Sequence, residues 1–188
     1  DYKKGKELLD SSISIFKRIG ETKGLTSAKQ KLADLLYQMG DVDQAYTVAQ
    51  ESYQLAKKMK VTSRTMSTLE LLIKINCTRG KFDETDSLVN ALMDLTHSVV
   101  QQNFPVLSES EKELYLNSFS NSMDLCKSYL VQVYDKNTSA LERELNSLIY
   151  FKGILLRTAS STRNSILSSE DNFLTETYNK WIYVKQRI

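Results

Sequence analysis

The chain predicts an all-α fold, a solenoid of antiparallel helix hairpins followed by a three-helix bundle segment, and three observations carry that expectation. The run Gly40-Asp41-Val42-Asp43-Gln44-Ala45 recurs 40 residues later as Gly80-Lys81-Phe82-Asp83-Glu84-Thr85, and the same shift places Leu32 on Leu72 and Ala49 on Val89. A fixed period of this size marks an array of supersecondary units that bury their apolar faces on one another. One Pro and six Gly in 188 residues leave too little punctuation for a fold rich in strands. The single proline, in Phe104-Pro105, closes the periodic part, because proline blocks continuation of the helix before it.

The elements follow in chain order. A helix over 3–19 turns Leu8, Leu9, Ser12, Ile15, Phe16 and Ile19 inward and aligns with the second helix of a repeat. A solenoid that opens on half a repeat leaves an apolar face uncovered, so the natural chain is expected to extend further N-terminally. Helices over 24–39, 42–59, 64–79 and 82–101 then make two complete hairpins. Gly40 and Gly80 supply the permissive backbone that ends the first helix of each pair, and Asp41 or its neighbours cap the second. Leu32, Ala33 and Leu36 face Ala45, Ala49 and Ser52 at three-and-four spacing, and the small side chains allow close helix approach. The repeat region therefore spans 1–103 and the remaining segment 104–188.

Beyond Pro105, Ser108 followed by Glu111 reads as a capping box that opens one helix running to about residue 134. Its stripe is Leu116, Phe119, Met123, Cys126, Leu130 and Val133, the seam of a bundle. A loop over 135–139, with Thr138 or Ser139 as cap, leads to a long helix ending near residue 167. That helix carries Leu141, Leu145, Leu148, Lys152, Leu155, Ala159 and Ile166 in one stripe. Lys152 interrupts it with a charge, which either snorkels to the rim or pairs with a buried carboxylate or helix-end carbonyls. Gly153 beside it points to a second backbone approaching closely. Residues 168–171 restart a final helix with Phe173, Leu174, Tyr178, Trp181 and Ile188. Eight helices result, five in a superhelical stack and three docked on its end.

Composition bounds the function. Hydrophobic residues at 41%, charged residues at 26% and a formal net charge of +2 fit a soluble globular protein and give no basic patch for nucleic acid. No apolar run is long enough to cross a membrane, and no charged-then-apolar leader opens the chain. Cys77 and Cys126 lack the spacing of a metal or redox pair and read as reduced thiols of a cytoplasmic protein.

No catalytic or cofactor constellation is present in the pattern. His97 is the only histidine and has no metal or nucleophile partner at helical spacing, so it reads as a helix-surface or groove residue. Cys77 and Cys126 read as small hydrophobes. Asp41, Asp43, Asp83 and Glu84 lie at turns, where caps and solvated charges belong, and lack the calcium-loop pattern. Trp181 with Tyr178 and Tyr183 is expected to serve core and edge packing rather than base stacking.

Leu32, Ala33, Gly40, Asp41, Asp43, Gln44 and Ala45 resemble the tetratricopeptide repeat, with Leu36 and Ala49 in place of its aromatic residues. The second copy departs further, at Ile73, Asn76 and Thr85, and the usual period is about 34 residues, so a period of 40 implies longer helices or turns. The resemblance implies a concave face lined by the first helix of each hairpin, at Gln30, Asp34, Tyr37, Gln38, Glu70, Lys74 and Cys77. That mixed polarity suits a peptide or a helix of a neighbouring domain, while Asp34 and Glu70 would repel a C-terminal carboxylate.

The second half adds the stretch from Phe104 to Leu114, then Phe151-Lys152-Gly153-Ile154-Leu155-Leu156, Arg163, Ser169, Asp171, Leu174, Tyr178 and Trp181. In order and spacing these resemble the helical segment that joins tetratricopeptide repeats to the protease-like domain of CHAT proteins, a caspase- and separase-related family found chiefly in bacteria. The catalytic His and Cys of that family belong to a domain that would follow residue 188, so none is assigned here. The resemblance implies a non-catalytic interaction scaffold that couples partner binding on the concave face to a downstream domain. The alternative is a peptide-sensing repeat module of a bacterial regulator or receptor.

Overall fold

The computed structural model describes residues 2–185, apart from the side chains of Glu109, Thr158, Ala159, Ser161, Thr162 and Lys185. Among the described residues there is no strand, and the chain is an all-α stack of helix hairpins. Its elements are α1 (Tyr2–Ile19), α2 (Thr22–Gln38), α3 (Val42–Lys58), α4 (Thr62–Thr78), α5 (Phe82–Asn103), a 3-10 turn (Phe104–Val106), α6 (Glu109–Asn117), α7 (Ser120–Val133), α8 (Thr138–Leu167) and α9 (Asn172–Lys185). From α1 to α5 each helix packs on the next, while α7 lies against both α4 and α5.

The 40-residue register resolves into two equal halves. Left-handed backbone recurs at Gly20, Gly40, Lys60 and Gly80, with φ of 70°, 82°, 55° and 69°, so a helix ends at every twentieth residue. At Gly40 and Gly80 the turn is closed twice: Gly40 N–H donates to Tyr37 O and Asp41 N–H to Leu36 O, and the same pair of bonds recurs from Gly80 to Cys77 and from Lys81 to Asn76. Lys60 takes the same conformation with a side chain, at a cost of about 1 kcal/mol.

Small residues set the helix spacing as expected. Ala33, Ala45, Ala49 and Ala56 have no exposed surface, and Ser52 Oγ donates to Thr26 O at 3.0 Å across the α2–α3 seam. Leu32, Leu36, Leu71, Leu72 and Ile75 complete this first core. A second core begins on the other side of α4 with Met66, Leu69 and Ile73, and runs through Val89, Leu92, Met93, Val100 and Phe104 to Phe119, Cys126, Tyr129, Val133, Phe151 and Ile154. It continues across Pro105, so α4 is buried from both sides and joins the two halves.

Asp86 fastens the later helices to the stack. Its carboxylate accepts two bonds from Arg143 Nη2 at 2.5 and 2.7 Å, one from Tyr129 O–H at 3.2 Å and one from Asn137 Nδ2 at 3.3 Å. Burial and the Asp86 charge push the Tyr129 phenol up to about 12, which keeps its proton in place as a donor.

In α1 the expected inward stripe is only half realised, since Leu8, Ile15 and Ile19 are exposed while Leu9, Ser12 and Phe16 are partly covered. Five expectations need correction beyond Pro105. The capping box at Ser108 and Glu111 forms, but the helix it opens stops at Asn117, and α7 starts anew at Ser120. Ser118 Oγ donates to Tyr115 O at 2.6 Å in a stretch dense in Asn and Ser, whose side chains compete with the helix ladder. The cap of α8 is Asn137, accepting from Ala140 N–H at 3.0 Å, rather than Thr138 or Ser139. The inner face of α8 is Ala140, Glu144, Ser147, Phe151 and Ile154, one position away from the leucine stripe, so Leu141 and Leu145 are exposed. Lys152 is therefore exposed, and among the described residues no second backbone approaches Gly153, where an added Cβ would meet only Arg157 Nε at 4.0 Å. Finally, α9 packs against α8 with Phe173, Trp181 and Tyr183 largely exposed rather than in a core. The Ala159 side chain and Ile188 lie outside the described residues.

Candidate partner groove

The first helices of the two hairpins, α2 and α4, run beside each other and leave a cleft of about 400 Å³ between them. Ser27, Gln30, Lys31 and Asp34 form one wall, and Arg64, Ser67, Glu70, Leu71 and Lys74 the other. The walls use the same repeat positions twice. A shift of 40 carries Ser27 to Ser67, Gln30 to Glu70, Lys31 to Leu71 and Asp34 to Lys74. Both rows keep the three-and-four spacing of a single helix face.

Of the seven residues expected to line the concave face, the structure brings Gln30, Asp34, Glu70 and Lys74 together in this cleft. Gln38 stands one turn beyond, donating to Asp34 Oδ2 at 2.8 Å. Tyr37 shares a hydrogen bond with Thr78 at 2.9 Å across α2 and α4, at the far end of the same face. Cys77 turns away and packs against the second core. Ser27, Lys31, Arg64, Ser67 and Leu71 were missed by sequence reasoning; the repeat register extended towards the N-terminus would have found Ser27, Arg64 and Ser67, whereas Lys31 and Leu71 form a register pair between positions already chosen.

The electrostatics are mixed. Lys31, Arg64 and Lys74 oppose Asp34 and Glu70, and three of these charges already have partners, Asp34 in Gln38 and the other two in serine hydroxyls. Arg64 Nη1 donates to Ser27 Oγ across the cleft, and Glu70 accepts from Ser122 Oγ of α7. The second contact shows α7 abutting one end of the groove. The exposed cations Lys31 and Lys74 leave the cleft able to receive an acidic or polar extended segment.

The thiols and the histidine are set apart from this cleft. Burial raises the Cys77 thiol and pushes Cys126 up to about 12, with Glu144 and Glu70 adding to the second shift. A thiol in that state is a poor nucleophile. Cys126 is accordingly expected to resist a thiol-specific reagent at pH 8 in the folded protein and to react once urea unfolds the chain. Rapid native labelling of Cys126 would contradict this. His97 lies on α5 against Tyr150 and Phe151, with ring centroids 4.5 and 4.9 Å apart, and burial lowers its pKa while Asp94 pulls the other way.

A comparison with models of known protein families gives no match, and a comparison with curated proteins gives none. Among the described residues no helix is long and apolar enough to cross a membrane, and no group of three His, Cys, Asp or Glu side chains could hold a metal ion.

Proposed function

We propose that this chain is a non-catalytic protein-interaction scaffold that holds a peptide segment in the α2–α4 cleft. One observation carries the reading: the cleft is lined by the same positions of two successive repeats, with side chains that, Leu71 apart, are polar, at least partly accessible and of both signs. Repeat arrays use such a surface to read an extended or helical segment, with each repeat supplying one row of contacts. The tetratricopeptide-like turns and the segment after Pro105 support placing the scaffold in a cytoplasmic bacterial protein of the CHAT type. There α7, in contact with both Glu70 and the second core, would pass the state of the groove to whatever domain the segment carries.

Selection of displayed peptides against the purified chain tests this. Enriched sequences are expected to be acidic or polar and to lose about tenfold or more in affinity on combining Arg64→Glu with Lys74→Glu, because reversed charges repel the segment they held. Combining Cys77→Ala with Cys126→Ala should leave that affinity unchanged. Enriched peptides that bind the charge-reversed protein as tightly as wild type would refute the groove, and peptide cleavage lost with either cysteine would refute a non-catalytic role.

A further inference from the structure

A second hollow of about 250 Å³ lies where α5 meets α7 and α8, remote from the α2–α4 cleft in both its helices and its lining. Val89 and Met93 of α5, Leu130 of α7 and Ala140 of α8 give it apolar walls. Glu144 lines it from α8 with only 4% of its surface exposed, and its Oε1 has no hydrogen-bond partner among the described residues. His97 lines it from α5, and its buried Nε2 is likewise without a partner among the described residues. A buried carboxylate oxygen left unsatisfied costs free energy that a matching donor would recover.

The charges around the hollow select the kind of donor. Asp86 and Arg143, both on its wall, neutralise each other through two short bonds, and Lys127, which faces Glu144 from α7, is paired with Asp124 at 2.8 Å. That leaves the carboxylates of Glu144, on which Lys127 acts only in part, and of Asp94 as the charges on the wall with no ion-pair partner among the described residues. His97 adds no opposing charge, because burial favours its neutral form, and as the Nδ1–H tautomer it presents Nε2 as an acceptor. An anion finds only repulsion here. The absence of a three-ligand cluster among the described residues argues against a metal ion and for an organic cation.

We propose that the cavity between α5, α7 and α8 binds a primary ammonium group on a short aliphatic stem, with Glu144 as counter-charge, His97 as a further acceptor and Val89, Met93 and Leu130 enclosing the stem. Burial raises the Glu144 pKa, and a bound cation would reverse that shift. The walls come from the stack on one side and the later helices on the other, so the ligand would fasten the two together. A free alkylamine and the lysine side chain of a peptide carry the same chemistry.

The test is a two-dimensional ¹H–¹⁵N NMR titration of the whole chain at pH 8 with n-butylammonium chloride, with 1-butanol as the neutral match and Nα-acetyl-lysine methylamide as the peptide-like probe. Saturable shifts confined to amides around 86–97, 129–130 and 140–147 are expected with butylammonium. Butanol should give weaker ones, and affinity should fall about tenfold in Glu144→Gln, which removes the charge and keeps the shape. Asp94→Asn, an exposed change that spares the fold, should weaken binding less, by about threefold. Tighter binding of the lysine amide than of butylammonium identifies a protein-borne side chain as the source, and weaker binding identifies a free amine. Absence of saturable shifts, equal binding of butanol, or undiminished affinity in folded Glu144→Gln would overturn the proposal.

Discussion

Phe104→Ala is expected to lower the stability of the chain by about 3 to 5 kcal/mol, the range for deleting a large aromatic from a packed interior. Phe104 retains 2% of its surface in solvent and begins the 3-10 turn that leads into Pro105. Its ring stands 6.5 Å from that of Tyr115, whose hydroxyl accepts from Asn103 Nδ2 at 3.0 Å, so one side chain holds the exit of α5 against the start of α6. Because Phe104 belongs to the second core, the loss should fall unevenly. Urea unfolding followed by circular dichroism gives the total, and hydrogen exchange should show faster exchange in α6 to α8 with little change in α2 and α3. A midpoint equal to wild type would mean that the turn is held by the proline alone.

Glu144→Met is expected to act in the opposite direction and stabilise the chain by about 1 to 3 kcal/mol at pH 7.5, since an unsatisfied buried acid gives way to an apolar side chain of similar length. The sign follows from the titration. Burial raises the Glu144 carboxyl above its ordinary value of 4.5, with Lys127 pulling it down by less. As the pH rises, the unfolded chain releases this proton first, so the wild type loses stability up to and through the raised folded value. The advantage of methionine should therefore be small near pH 4 and complete well above the folded value. His97 also titrates, and its lowered pKa makes both proteins less stable as the pH falls below 6.5. That effect is common to the pair and cancels in their difference. A gain that stayed constant from pH 4 to pH 8 would show that Glu144 is not the group involved.

The elements that sequence reasoning placed well are those whose cause is local. The turns at Gly40 and Gly80 and the capping box at Ser108 are written within five or six residues, and the small Ala33, Ala45 and Ala49 mark the helix seam without reference to anything distant. The groove was legible in part for the same reason: a register of 40 finds Gln30 with Glu70 and Asp34 with Lys74, but reading it too short missed Arg64 and Ser67.

What stayed hidden depends on partners far away in sequence. Leucines at 141, 145 and 148 make a more apolar stripe than Ala140, Glu144 and Ser147, yet the second row faces inward. The rotation of α8 is fixed by Arg143 reaching Asp86, by His97 meeting Phe151 and by the hollow between the helices, none of which leaves a periodic trace. The same rotation leaves Lys152 in solvent. The stop at Ser118 was also obscured, because Leu116, Phe119 and Met123 keep bundle spacing on either side of the break and mask the Asn and Ser between them.

The burial of α4 from both sides has a consequence for the chain during its synthesis. Helices α2 to α5 each rest on the preceding one, so every hairpin closes over a short loop as soon as its second helix is complete, at little entropic cost. The outer face of α4 and the inner face of α5 wait longer. Ser122 meets Glu70 across 52 positions and Arg143 meets Asp86 across 57, so Val89 and Met93, which face α7 and α8 across the hollow, stay uncovered until those helices have been made. A nascent chain halted just after Pro105 presents that apolar surface to its surroundings, the kind of exposure that makes a partly made chain prone to aggregate.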